Sequence, residues 1–206
     1  MTTLHTYTVS AEIAGPAAIW VRPDSGASFT TYPAPTFSAV QGILDCVARW
    51  KTAYLEPQSV EICAPIQTLR YVTNYGGPLR HPKNFAGATG YQLYSTILVD
   101  VIYKIHAIAR ESGRPPDANN HLHAVQGLFE RRLRQGKLYR TPCLGWSEFT
   151  PSYFGPLREN TVACKDLSME IPSMLHRVFD HPQAGHYSPE YRQSVKIKEG
   201  VLRFAE

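Results

Sequence analysis

Thr96-Ile97-Leu98-Val99-Asp100-Val101-Ile102-Tyr103-Lys104-Ile105-His106-Ala107-Ile108-Ala109 is the stretch that decides the fold. Ile97, Val99, Val101, Tyr103, Ile105 and Ala107 fall on one side of a period of two, and Asp100, Ile102, Lys104 and His106 on the other. That alternation, in residues rich in β-branching, predicts a strand buried on one face. The apolar run Val60–Ile66 reads as the strand before it, with Pro65 marking an edge or bulge near its end. No helical pattern separates the two. Simple alternation of strands and helices would suit a parallel α/β sheet, but that fold needs a crossover helix at this point.

Working outward, Thr6–Ile13 alternates as cleanly, with Tyr7, Val9, Ala11 and Ile13 on one side and Thr6, Thr8, Ser10 and Glu12 on the other. This predicts a half-buried first strand, ended by Gly15-Pro16. Then comes Tyr32-Pro33-Ala34-Pro35-Thr36-Phe37-Ser38-Ala39-Val40-Gln41-Gly42-Ile43-Leu44. The two prolines fix φ and stiffen the approach. Thr36 suits an N-cap, and Val40, Ile43, Leu44 and Val47 follow at helical spacing, predicting a helix from Thr36 to about Ala53. Arg70–Tyr94 carries glycines, prolines, tyrosines and cations but no apolar period. A second helix is predicted over His121–Gln135, with Gly136 as its C-terminal cap. Lys137–Phe154 is strand-like and turn-rich, Met169–Phe179 is apolar, and Val195–Phe204 suits a closing strand.

The order strand, helix, strand, strand, helix, strand predicts an α+β fold, a ferredoxin-like or RRM-like unit with both helices on one face of an antiparallel sheet. The chain has 206 residues, 43% apolar and 18% charged, with a net charge of +4. These are globular values, and the charge is too mild to argue for nucleic acid unaided. Cys46, Cys63, Cys143 and Cys164 are far apart, so free thiols in a reducing cytoplasm are expected rather than a zinc ribbon. No basic leader and no apolar run of about 18 residues is present, and no membrane association is expected.

No glycine-rich nucleotide loop and no H-E-x-x-H pattern occurs, so no cofactor is expected. His121 and His123, two apart on a helix, point in different directions and make no metal site. Lys104 and His106 share one strand face about 6.6–7 Å apart. A histidine moves protons near neutrality and a lysine stabilises a phosphorane's charge, so the pair suits RNA cleavage through the 2′-hydroxyl, with a tyrosine hydroxyl nearby. The same pair also suits a plain solvated strand face. Arg131, Arg132 and Arg134 suit phosphates or a solvated helix face alike.

Residue patterns along the whole chain resemble the type I-C (subtype d) form of the Cas-five family of CRISPR proteins. The resemblance rests on Trp20-Val21-Arg22-Pro23, the Tyr32 to Leu44 stretch, Asp100-Val101-Ile102-Tyr103 and Asn120-His121-Leu122. It continues through the arginine-rich helix to Gly136, Thr141 to Phe149, Lys165-Asp166-Leu167 and Glu199-Gly200-Val201-Leu202. It implies an RRM-like domain over 1–156 with a β-hairpin thumb at about 70–94, and a small C-terminal β region over 157–206. It implies a Cascade subunit that binds the 5′ handle of CRISPR RNA and cuts the precursor without metal, through Tyr32, Lys104 and His106. Arg22, Arg70, Arg80, His81, Lys83, Arg131, Arg132 and Arg134 are the expected RNA contacts. Subunits of the backbone Cas-seven type and large Cas-eight type are the expected partners. The alternative is a non-catalytic cap of the RNA 5′ end that leaves processing to another nuclease.

Overall fold

The structure is a computed structural model that describes residues 6–75, 91–112, 120–178 and 188–204. Among the described residues it is an α+β fold in which two helices pack on one face of an eight-stranded sheet. The strands are β1 (Thr8–Ala18), β2 (Ala53–Ile62), β3 (Gln67–Tyr75), β4 (Tyr91–Glu111), β5 (Tyr153–Gly155), β6 (Met169–Arg177), β7 (Glu190–Lys198) and β8 (Val201–Arg203). The helices are α1 (Phe37–Val47) and α2 (His121–Gln135). The sheet runs β5-β1-β4-β2-β8-β7-β6, with β3 paired to β4 outside this path, and every pairing is antiparallel.

β4 organises the sheet. Its first half pairs with β3, from Tyr75↔Tyr91 to Gln67↔Val99, and its second half lies between β1 and β2. The expected face is kept from Val101 onward, with Val101, Tyr103, Ile105 and Ala107 buried, whereas before it Leu98 is buried as well as Ile97, Val99 is only partly buried, and Asp100 takes φ 51°. Hydrophobic burial of this side drives the packing, with Phe129 and Val125 of α2 and Val40 and Leu44 of α1 all buried in the same cluster. Among the described residues, no helix is long and apolar enough to cross a membrane.

Several boundaries differ from the sequence expectation for identifiable reasons. α1 stops at Val47, not near Ala53, because tertiary partners take its last carbonyls. The Tyr139 and Arg140 amides donate to Cys46 O at 2.8 and 3.2 Å, and Arg132 Nη1 donates to Val47 O at 2.9 Å. Ala48 is already extended, and β2 therefore begins at Ala53, seven residues before Val60. Its irregularity falls between Pro57 and Ser59 rather than at Pro65. The aperiodic stretch from Arg70 holds strand on both sides, because a hairpin leaning on few core residues needs no apolar alternation. The closing strand is a hairpin, β7 and β8, turned through Glu199 and Gly200 at φ 49° and 77°. Within Lys137–Phe154, strand structure is confined to its last two residues.

The N-cap and C-cap expectations hold. Thr36 Oγ1 accepts from the Ala39 amide at 3.2 Å, and Gly136 adopts φ 64°. A second glycine is fixed by close approach: Gly145, at φ 98°, sits where a Cβ would lie 1.8 Å from Ile19 O. Ile19 N donates to Leu144 O at 2.9 Å, so the Leu144–Phe149 turn is laid directly on the end of β1. Trp146 then stacks on Phe149 and meets Phe29 edge-on and Tyr71 of β3 at a tilt, an aromatic clamp at the base of the β3–β4 hairpin.

Candidate nucleic-acid interface

The sheet face turned away from the helices carries the polar residues of β1, β4 and β2. At its centre His106 is held from both sides. Its Nδ1 lies 2.9 Å from Ser10 Oγ and its Nε2 lies 2.7 Å from Glu61 Oε1. The side chains of His106 and Glu61 keep 31% and 28% of their exposure, so the pair is reachable from solvent. Lys104 shares this face, as the alternation requires, and its Nζ donates to Thr161 O at 2.5 Å.

One residue of this face departs from the sequence expectation. Glu12 should have pointed to water, yet it is wholly buried. The chain after β5 folds over it. Arg158 donates from its amide at 2.8 Å and from Nε at 2.7 Å, and Thr161 Oγ1 donates at 3.0 Å. Burial would raise the carboxyl's pKa, but the Arg158 and Thr161 hydrogen bonds outweigh it and hold Glu12 below its ordinary value. The segment around 158–161 is thereby clasped over the Glu12–Lys104 end of the sheet, and His106 is left at the clasp's open border. Local alternation carries no signal for this cover, because its partners are about 146 residues away in sequence.

Tyr32 occupies a different place. It is 3% exposed, in the same core cluster as Trp20 and Tyr103, and its hydroxyl oxygen accepts from the Leu175 amide of β6 at 3.1 Å. Burial raises its pKa, against the opposing effect of that amide. Its cavity of about 510 Å³ is lined by Arg22, Asp24, Met169, Ser173 and Tyr191 among others. The structure therefore brings Lys104 and His106 together and does not bring Tyr32 to them. Tyr32 N donates to Trp20 O, just beyond β1, whereas His106 lies opposite Ser10. Ser10 and Ala18 alone are about 26 Å apart at ~3.3 Å per residue, so the two sites lie towards opposite ends of β1.

The expected RNA contacts are also dispersed. Arg22 is paired with Asp24 at 2.7 Å and stands 5.9 Å from the Tyr32 ring centre. Arg70 lies 4.4 Å over the Tyr94 ring on the β3–β4 hairpin. Arg80, His81 and Lys83 lie outside the described residues. Arg131 and Arg134 are exposed on α2, on the helix side of the sheet, while Arg132 is partly buried and caps α1. His121 bonds Thr52 Oγ1 and His123 lies against Tyr7, so each has a partner of its own. The four cysteines are free thiols, and burial, with Glu61 adding, pushes Cys63 up to about 11. Reasoning from sequence misses Ser10, Glu61, Arg158 and Thr161. Ser10 and Glu61 sit on the polar side of their strands, and only a register was needed to bring them to His106.

No family model matches this chain. Two curated relatives are both called CRISPR pre-crRNA endoribonuclease Cas5d. That of Thermus thermophilus is 30% identical over 165 residues, which cover 78% of this chain and 69% of the relative. That of Mannheimia succiniciproducens is 25% identical over 211 residues, covering 91% and 90%. Among solved structures, a CRISPR-associated protein superposes with a TM-score of 0.73 at 21% identity, over 98% of this chain and 95% of that one. A functionally uncharacterised protein from Streptococcus mutans superposes with a TM-score of 0.74 at 18% identity, over 99% and 95%. These two speak for the fold alone. The Thermus relative decides the family, and this chain belongs to the Cas-five family of CRISPR-associated proteins in its type I-C form, Cas5d.

Proposed function

We propose that this chain binds the 5′ handle of CRISPR RNA as a Cascade subunit and cuts the precursor RNA within its repeat. The observation that carries the reading is the 30% identity to a relative called a pre-crRNA endoribonuclease. The fold proposed for it is an RRM-like, ferredoxin-like unit over 1–156, supported by the strand order β5-β1-β4-β2 with both helices on one face. The β3–β4 hairpin is its thumb, and β6, β7 and β8 are its C-terminal β region. Backbone subunits of the Cas-seven type and a large subunit of the Cas-eight type are its proposed neighbours.

His106 is the proposed proton acceptor and Lys104 the proposed stabiliser of the phosphorane's charge. Glu61, bonded to Nε2, fixes the ring and favours the tautomer whose Nδ1 is an acceptor. Ser10 occupies Nδ1 in this state, so an attacking 2′-hydroxyl takes the place of the serine hydroxyl. The 2′-oxygen bonds to the adjacent phosphorus, its proton passes to His106, the P–O5′ bond breaks, and the leaving O5′ takes up a proton from water. The products are a 2′,3′-cyclic phosphate and a 5′-hydroxyl. Tyr32 is proposed as a contact for RNA at its own cavity beside Arg22. The residues named are those of this chain, and the chemistry requires no metal.

A second reading, the non-catalytic cap, is favoured by one observation, the separation of Tyr32 from His106. The test is incubation of the purified protein with its own repeat RNA in EDTA. His106→Ala should slow cleavage by roughly 10²-fold or more, as for loss of a positioned proton-transfer group. A 2′-deoxy sugar at the cut site should bind and stay intact. Cleavage lost in Tyr32→Phe and retained in His106→Ala moves the chemistry to the Tyr32 cavity, and no cleavage by the wild type leaves the cap.

A further inference from the structure

The strand registers place a single row of side chains straight across five strands of the open face. Ser10 of β1 lies opposite His106 of β4, His106 opposite Ser59 of β2, and Ser59 opposite Arg203 of β8. The β7–β8 register, Ile197↔Leu202, sets Lys196 beside Arg203. The adjacent row reads Glu12, Lys104, Glu61, Val201 and Lys198. These residues share one side of the pleat, because their neighbours Val60, Ile105, Ile197 and Leu202 are all buried on the other. At ~4.8 Å per strand, Arg203 lies about 10 Å from His106 and Lys196 about 14 Å.

The β7–β8 end of these rows is a groove of about 730 Å³ lined by Glu61, Lys165, Lys196, Lys198, Glu199 and Arg203. A second groove of about 480 Å³ shares Lys196, Lys198 and Arg203 and adds Arg192. Of the two carboxylates in the first groove, Glu61 is already committed to His106. Among the described residues, Lys165, Lys196 and Lys198 form no ion pair. Like charges directly across strands destabilise a sheet. On its other side Lys196 faces Glu170 of β6, and Arg203 and Lys198 carry the positive charge on towards β2.

We infer that the β7–β8 face is a binding track for the phosphate backbone of single-stranded RNA, one end of which meets Glu61 and His106. The cations take phosphates, and the Ser59 and Ser10 hydroxyls suit phosphate or ribose oxygens. The row has no Phe, Tyr or Trp, and its one ring, His106, is held by Ser10 and Glu61, so it offers no run of rings for stacking and no reading of bases. The track is therefore indifferent to sequence, and its span of about 19 Å from Ser10 to Lys196 accommodates a few nucleotides. The inference deepens the proposed RNA binding and rests on it, but it does not require that the protein cut.

The test is fluorescence anisotropy with a labelled oligouridylate, which carries no repeat sequence, over a salt series. Lys196→Gln/Arg203→Gln should weaken binding about tenfold and reduce the slope of log affinity against log salt by about 1.4, at ~0.7 for each phosphate no longer neutralised. Lys196→Gln/Lys198→Gln, which leaves Arg203 in place, should act in the same direction if the first variant folds poorly. Wild-type protein crosslinked to 4-thiouridine RNA should yield adducts on the 190–203 peptide. Unchanged affinity and slope in folded variants, crosslinks confined to α2 and the β3–β4 hairpin, or a wild type that binds no oligouridylate would each overturn the inference. A wild type that binds in this manner and leaves its repeat uncut defeats the cleavage reading alone.

Discussion

Arg158→Ala tests the clasp that defines the candidate site. Glu12 is fully buried and receives three hydrogen bonds from the 158–161 segment, one of them from the Arg158 backbone. Removing one partner of a buried ion pair costs about 3–5 kcal/mol, because the other charge is left without compensation. Here the Arg158 side chain is 37% exposed, and Glu12 keeps the backbone amide and the Thr161 hydroxyl. Water takes up part of the loss, so about 2–3 kcal/mol is expected. At ~2–4 °C per kcal/mol for a chain of this size, Tm should fall by about 4–12 °C. Glu12→Gln should cost less, and a double-mutant cycle should return a coupling well above the ~0.5 kcal/mol scatter of independent sites. The pH dependence has a definite sign. A carboxyl with a depressed folded pKa contributes stability above its unfolded value, near 4.5, and loses it as pH falls through the folded value. The gap between wild type and Glu12→Gln should therefore narrow below about pH 4.5. Hydrogen exchange should show amides near 158–161 opening in Arg158→Ala. A Tm within about 1 °C of wild type, together with unchanged exchange, would refute the clasp.

Two further outcomes follow from single contacts. Tyr32→Phe removes the acceptor of the Leu175 amide and should cost about 1–3 kcal/mol by chemical denaturation, with an unchanged m-value. Gly145→Ala places a Cβ 1.8 Å from Ile19 O at a φ of 98°, and should cost more than ~3 kcal/mol or abolish soluble expression, whereas the exposed Gly136→Ala should cost only ~1 kcal/mol.

What is legible in the sequence follows from range. The β4 alternation, the Thr36 and Gly136 caps and the core face of α2 are set within a few residues, and each stands where local physics puts it. The end of α1 is not legible, since Tyr139, Arg140 and Arg132 satisfy its carbonyls from more than 80 residues away. Glu12 reads as solvent-facing because alternation reports which side of a strand a residue is on, not what covers that side. Lys104 and His106 are found as a pair because β periodicity alone brings them together. Tyr32 is expected beside them because sequence gives order along the chain and not the end of a strand against which a loop packs.

That difference bears on the proposed role of His106 as a base. An imidazole on a bare strand face would be a weakly oriented base with both nitrogens in water. Here each nitrogen has one fixed partner, and the partners differ in kind: a carboxylate that can only accept and a hydroxyl that can give its place to another hydroxyl. The ring is thus oriented from the Glu61 side and exchangeable from the Ser10 side. A ribose 2′-hydroxyl is the chemical equivalent of the group it would displace, so the exchange leaves no hydrogen bond unmade. Glu61 also stands at the head of the β7–β8 cations, and a backbone on the proposed track would approach His106 along the row from the Ser59 side. To reach Nδ1 it must cross the ring towards β1. Ser10→Ala separates these steps: it empties the Nδ1 position without touching the cations. It removes no charge, so it should lower oligouridylate affinity far less than the cation variants and leave the salt slope unchanged, while altering the rate of cutting. A loss of affinity in Ser10→Ala equal to that of the cation variants would mean that Ser10 holds the strand rather than yields to it.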